Sequence, residues 1–88
     1  MIYSVVFGKS AKRQIDKLSE DDRIRIRERI KELMVDPSRH GKPLTGVFRA
    51  RNVWSSRVGN YRIFYTIFEE KKVVLVIRVD LRRRAYRL

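Results

Sequence analysis

Val73-Val74-Leu75-Val76-Ile77 is apolar at every position, in a chain whose residues are 36% charged. Four of these five residues are β-branched, which favours a strand, and the turn-forming Glu69-Glu70-Lys71-Lys72 precedes them. A half-exposed strand would alternate. An unbroken run reads as the central strand of a sheet with both faces covered. The rest of the chain must therefore supply flanking strands and a covering layer. Ile2 to Phe7, rich in β-branched and aromatic residues, reads as a first strand. Phe48 to Val58 and Tyr61 to Phe68 flank Gly59-Asn60, a two-residue hairpin signal of the kind that accepts positive φ.

Between the first strand and the hairpin the period changes from two to that of a helix. Ser10 is placed to cap a short helix carrying Ala11, Ile15 and Leu18 on one face. Ser19-Glu20-Asp21-Asp22 forms a second N-cap, with acids in the first turn where the helix dipole favours them. Arg23-Ile24-Arg25-Ile26-Arg27 alternates like a strand, but the cap before it and the stripe Ile26, Ile30, Leu33, Met34 decide for helix. Asp36-Pro37 ends that helix, and a loop punctuated by Pro37, Gly41, Pro43 and Gly46 follows. The expected fold class is α+β, in the order β-α-α-β-β-β, as one domain over residues 1–88. Two N-terminal helices, near residues 10–18 and 20–35, pack on one face of a small, mainly antiparallel, four-stranded sheet whose last three strands form a meander. The other face is expected to be more polar, with arginines from several strands converging on it.

The chain has no cysteine and a single histidine, His40, which argues against disulfides, thiolate metal sites and multi-histidine sites. No metal or cofactor is expected. No stretch approaches the ~18 apolar residues of a membrane span, and the N-terminus lacks the features of a signal peptide. A cytoplasmic location without a membrane partner is the expectation. Net charge is +12, and its distribution is uneven. Residues 9–36 hold nine bases and seven acids, whereas residues 37–68 hold six bases (Arg39, Lys42, Arg49, Arg51, Arg57, Arg62) and no acid. Fifteen of the twenty-two bases are arginine, whose planar fork suits phosphate. A polyanionic partner follows.

Four segments carry a family resemblance: Leu33-Met34-Val35-Asp36-Pro37, Leu44-Thr45-Gly46, Trp54-Ser55-Ser56-Arg57-Val58-Gly59-Asn60-Tyr61-Arg62-Ile63-Phe64-Tyr65, and Arg82-Arg83-Arg84-Ala85-Tyr86. In this order and spacing they resemble the RelE branch of the RelE/ParE superfamily, the toxin halves of type II toxin–antitoxin pairs. The resemblance covers nearly the whole chain. It implies a toxin that enters the ribosome and cleaves mRNA there, the 2′-hydroxyl attacking the adjacent phosphate. Position by position, it implies catalytic roles for Arg57, Arg62, Arg82 and Tyr86. Fixed guanidinium groups suit the charge that spreads over phosphoryl oxygens in such a transition state.

Arg49, Arg51, Arg83, Arg84 and Arg87 are the expected RNA-backbone contacts. Trp54, Tyr61 and Tyr65 read as core residues, Asp80 as an ion-pair partner, and His40 as a loop residue with no visible partner. Ser55 and Leu81 stand where endonuclease members carry further bases, so no general base is assigned. The expected partners are the ribosome, mRNA and a cognate acidic antitoxin protein in a hetero-oligomer. Two alternatives stay open: a ParE-like toxin that inhibits DNA gyrase, and a non-catalytic RNA-binding module.

Overall fold

The protein is described by a computed structural model over residues 2–44 and 52–81. The elements are β1 (Ser4–Phe7), α1 (Lys9–Asp16), α2 (Glu20–Val35), β2 (Lys42–Pro43), β3 (Val53–Val58), β4 (Tyr61–Phe68) and β5 (Val73–Leu81). The sheet order is β1-β5-β4-β3-β2, with β1 parallel to β5 and every other pair antiparallel. The apolar run does form a central strand, and β3, β4 and β5 make the expected meander. The sheet has five strands rather than four, because Lys42 and Pro43 pair with Ser55 and Trp54 inside the expected loop. A two-residue strand has no period to read. Its proline also removes one backbone donor, so only the tertiary pairing defines it.

The expectation that both faces of Val73–Ile77 are covered does not hold. Val74 and Val76 are fully buried, but Ile77 is 37% exposed, and Val73 and Leu75 are only half-buried. The reason is that both helices lie on one face. Ala11 of α1 and Ile26, Ile30 and Leu33 of α2 join a single core cluster with Val58, Ile63, Tyr65, Ile67, Val74, Val76 and Val79. Completely burying a side chain such as Leu33 stabilises the fold by about 1.5–3 kcal/mol. The β4–β5 register steps from Phe64↔Arg78 to Tyr65↔Val76, leaving Ile77 unopposed. This bulge returns Val79 to the core side. The N–H of Val79 donates to Gln14 Oε1 of α1 at 2.9 Å.

The second cap is as expected: Ser19 Oγ accepts from the Asp22 N–H at 3.3 Å, and Glu20, Asp21 and Asp22 fill the first turn. The first cap is not Ser10. The helix begins at Lys9 after Gly8, which makes no side-chain cap bond. The sheet sets this boundary, since the Gly8 N–H donates to the Val76 carbonyl at 2.9 Å while the Gly8 carbonyl accepts from Lys12 at 3.0 Å. The helix also stops at Asp16, and the first strand starts at Ser4 rather than Ile2. At the hairpin, Val58 pairs with Tyr61, and Gly59 has φ +57°, a conformation that glycine adopts without a Cβ penalty. Phe48, the expected start of β3, lies outside the described residues, and the described strand begins at Val53.

Candidate functional site

Antiparallel pairing of β3 with β4 sets Arg57 directly opposite Arg62. Opposed residues share a face, and the neighbouring Ser56↔Ile63 pair belongs to the helix side. The two arginines therefore sit on the face away from the helices. Arg62 pairs in turn with Asp80 of β5, and its Nη1 donates to Ser55 Oγ at 3.2 Å. Asp80 lies 3.7 Å from Arg78 Nε, in keeping with its expected ion-pair role. The Arg78 guanidinium caps the Phe64 ring at 4.9 Å.

A strap over residues 37–43 runs along the outer side of β3, and three contacts fix it besides the β2 pairing. The Tyr65 hydroxyl donates to the Pro37 carbonyl at 2.6 Å, within the core. The Ser56 hydroxyl donates to the His40 carbonyl at 2.6 Å. Gly41 lies so close to β3 and β4 that a Cβ would overlap the Tyr65 hydroxyl and come within 2.8 Å of the Ser55 carbonyl. Close backbone approach, rather than positive φ, requires glycine here.

Arg29 of α2 joins the helix to this edge. Its Nη1 donates to Ser56 Oγ at 2.7 Å and to the Arg57 carbonyl at 2.9 Å, and its Nε donates to Glu32 at 2.8 Å. Glu32, Arg29, Ser56 and the His40 carbonyl thus form one chain of hydrogen bonds from helix to strap.

Between strap and sheet lies a groove of about 530 Å³, lined by Arg29, Arg39, His40, Lys42, Arg57 and Arg62 together with Ser55 and Ser56. Among the described residues no acid lines it. Ion pairs among the described residues join Arg29 to Glu32, Lys31 to Glu28, Lys72 to Glu69 and Arg78 to Asp80. Arg39, Lys42 and Arg57 take part in none of these. Such a groove is suited to an anion with several oxygens, held by charge-assisted hydrogen bonds.

Of the residues singled out from sequence, Arg57 and Arg62 come together in the groove. Arg82, Tyr86, Arg49, Arg51, Arg83, Arg84 and Arg87 lie outside the described residues. Of the three aromatics expected in the core, Tyr65 lies within it, and Trp54 and Tyr61 are partly buried and pack against it. Tyr65 is fully buried, and Trp54 stacks on it with ring centroids 6.4 Å apart. Burial pushes the Tyr65 phenol well above its usual value, against a smaller opposing effect of Arg29. Burial also raises the Tyr61 phenol, helped by its hydrogen bond to Asp22 at 3.0 Å.

Sequence reasoning did not place Arg29 at the site, and it left Arg39, His40 and Lys42 in a loop. For Arg29 the signal was available, since it follows Ile26 by three residues and precedes Leu33 by four, on the flank of the buried stripe. No described helix is long and apolar enough to cross a membrane.

Known proteins share both the sequence and the fold. Residues 5–86 match the family described as the ParE toxin of the type II toxin–antitoxin system, parDE. The chain is 35% identical to Toxin RelG of Mycobacterium tuberculosis (strain ATCC 25618 / H37Rv) over 88 residues, 99% of each protein. In the toxin–antitoxin complex RelBE2 of the same species, a chain 34% identical superposes with a TM-score of 0.82, covering 93% of this chain and 100% of that one. The isolated Escherichia coli RelE toxin, 24% identical, shares the fold at a TM-score of 0.80, over 96% of this chain and 88% of that one. The protein belongs to the RelE/ParE superfamily of type II toxin–antitoxin toxins.

Proposed function

We propose that this toxin is a ribosome-dependent, metal-independent mRNA endonuclease that arrests translation. The observation that carries the reading is the Arg57–Arg62 pair, set side by side across β3 and β4 in a groove that Arg29, Arg39 and Lys42 also line. In the proposed reaction the 2′-oxygen bonds to the adjacent phosphorus and the bond to the 5′-oxygen breaks. A proton leaves the 2′-hydroxyl and another reaches the departing oxygen. The products are a cyclic phosphate and a free 5′-hydroxyl. Arginine stays protonated and does not accept that proton. Its role is to hold the phosphoryl oxygens as charge builds on them, a contribution of about 3 kcal/mol per fixed donor. Arg82 and Tyr86 complete the proposed catalytic set, and Arg49, Arg51, Arg83, Arg84 and Arg87 the proposed contacts to RNA backbone.

A cognate acidic antitoxin is the proposed regulator, its carboxylates meeting the basic face in a hetero-oligomer. The relative in the RelBE2 structure is itself part of a toxin–antitoxin complex. Charge pairing of this kind gives fast association that weakens as salt rises.

Induced expression followed by mapping of transcript 5′ ends tests the reading. New 5′-hydroxyl ends inside translated regions are expected, and Arg62→Ala should reduce them about 100-fold or more while far-UV circular dichroism stays unchanged. The matched family is described by its ParE members, which favours inhibition of DNA gyrase as the second reading. Intact transcripts together with loss of plasmid supercoiling would decide for gyrase.

A further inference from the structure

We propose that Lys42 and Arg39 form a second phosphate subsite next to the Arg57–Arg62 pair, so that the groove takes two consecutive phosphates of one RNA strand. The inference rests on the RNA reading of this groove and extends it to a residue set on the strap.

The β2–β3 register carries the argument. Lys42 is the cross-strand partner of Ser55, so the two share a face. Arg57 stands two residues further along β3 on that same face, about 7 Å away at strand rise. Across β4, Arg62 stands opposite Arg57 and reaches back to Ser55 Oγ at 3.2 Å. Lys42 and the arginine pair therefore occupy successive rows of one surface, with only a serine between them. That offset matches adjacent phosphates of an extended strand better than it matches a single anion. Arg39 lines the same groove from the strap.

Two further observations favour a built subsite over a chance cluster. The strap is fixed before any ligand arrives, by the Tyr65–Pro37 and Ser56–His40 hydrogen bonds and by the close approach at Gly41. Preorganised cations lose less freedom on binding than cations on a mobile loop. Arg39 and Lys42 also take part in none of the ion pairs among the described residues, whereas Lys31 of α2 is paired with Glu28. Each cation is thus available to an external phosphate.

Salt dependence of binding separates phosphate recognition from general charge. The probe is fluorescein-labelled octa-uridylate, titrated with the isolated protein across a range of salt. For a single strand, each phosphate that the protein no longer neutralises lowers the slope of log K against log salt by about 0.7. Lys42→Ala and Arg39→Ala should each lower it by about that amount, and the double variant by about 1.4. Lys71→Ala removes the same charge from the exposed turn after β4 and should leave the slope unchanged. Thermal melts of all variants check the fold.

Slopes equal to wild type in both single variants would overturn the subsite, as would an equal fall in Lys71→Ala. A wild-type protein that does not bind the probe would overturn it as well. The outcome is separable from the nuclease reading. Transcript cleavage with unchanged slopes keeps the nuclease and removes the subsite. Slopes that fall without any transcript cleavage do the reverse.

Discussion

The helix-covered face and the β2–β3 edge share β3 but satisfy their polar groups in opposite ways. On the covered face polar atoms find partners inside the fold. Tyr61 donates to Asp22, and Gln14 accepts from Val79. At the edge the backbone of the strap is satisfied as well, through Ser56, Tyr65 and the β2 pairing. The cations there are not: Arg39, Lys42 and Arg57 face a groove with no described acid. Like charges brought together repel, so this arrangement works against the compact state and must be held by the rest of the fold. One face supplies stability and the other spends part of it on holding positive charge in place.

The largest effect is expected at Leu33, fully buried between α2 and the sheet. Leu33→Ala should lower unfolding stability by about 2–5 kcal/mol in urea titrations. The folded fraction should bind octa-uridylate as wild type does, because the side chain is in the core and not in the groove. A matching loss of affinity per folded molecule would mean that core and groove are one mechanical unit and that the division is wrong.

Gly41→Ala is the next largest and should breach the division deliberately. The new methyl would overlap the Tyr65 hydroxyl and crowd the Ser55 carbonyl, so strap and sheet must move apart. Overpacking of this kind costs about 1–3 kcal/mol. Unlike Leu33→Ala, the substitution should also weaken RNA binding by the folded protein, since Lys42 follows Gly41 directly. Lowered stability with unaltered RNA affinity would show that the position of the strap does not matter to the groove.

What could be read in the sequence follows from what is local. The cap at Ser19, the stripe Ile26–Ile30–Leu33 and the glycine of the hairpin each lie within a few residues of their partners, and the structure has all three. The acid-free stretch from residue 37 to 68 also foretold where positive charge gathers, since four of its bases line the groove. The misses are non-local. Gly8 replaces Ser10 as the start of α1 because a strand far along the chain holds it there. Two residues become β2 only because β3 is beside them. Ser55 read as a place where a base is missing, yet its cross-strand neighbour is Lys42, which no periodicity could reveal. The open side of the central strand was missed for a related reason. An apolar run states that a strand is central, but not how many layers cover it.

Tyr65 joins the two regions in a single side chain, its ring in the core and its hydroxyl on the strap, and its removal is the smallest and most specific test. Tyr65→Phe keeps the packing and leaves the Pro37 carbonyl without this donor, a cost of about 1–2 kcal/mol near neutral pH. The pH dependence then identifies the hydroxyl as the cause. Burial raises the Tyr65 phenol above its unfolded value, so the folded protein keeps a proton that the unfolded chain releases. The hydroxyl's contribution is therefore complete below about pH 10 and is lost as pH climbs through the alkaline range. Tyr61 and Tyr3 are raised too, Tyr61 chiefly by burial and Tyr3 chiefly by its hydrogen bond to Glu69, so wild type and variant should both weaken in alkali. Wild type should weaken faster, having one more such phenol. Urea unfolding at pH 8, 9, 10 and 11 should show the stability gap between the two proteins constant at first and narrowing above pH 10. A gap that stays constant throughout would mean that the Tyr65 hydroxyl ionises as freely in the folded protein as in the unfolded chain, and that the strap is not sealed onto the core.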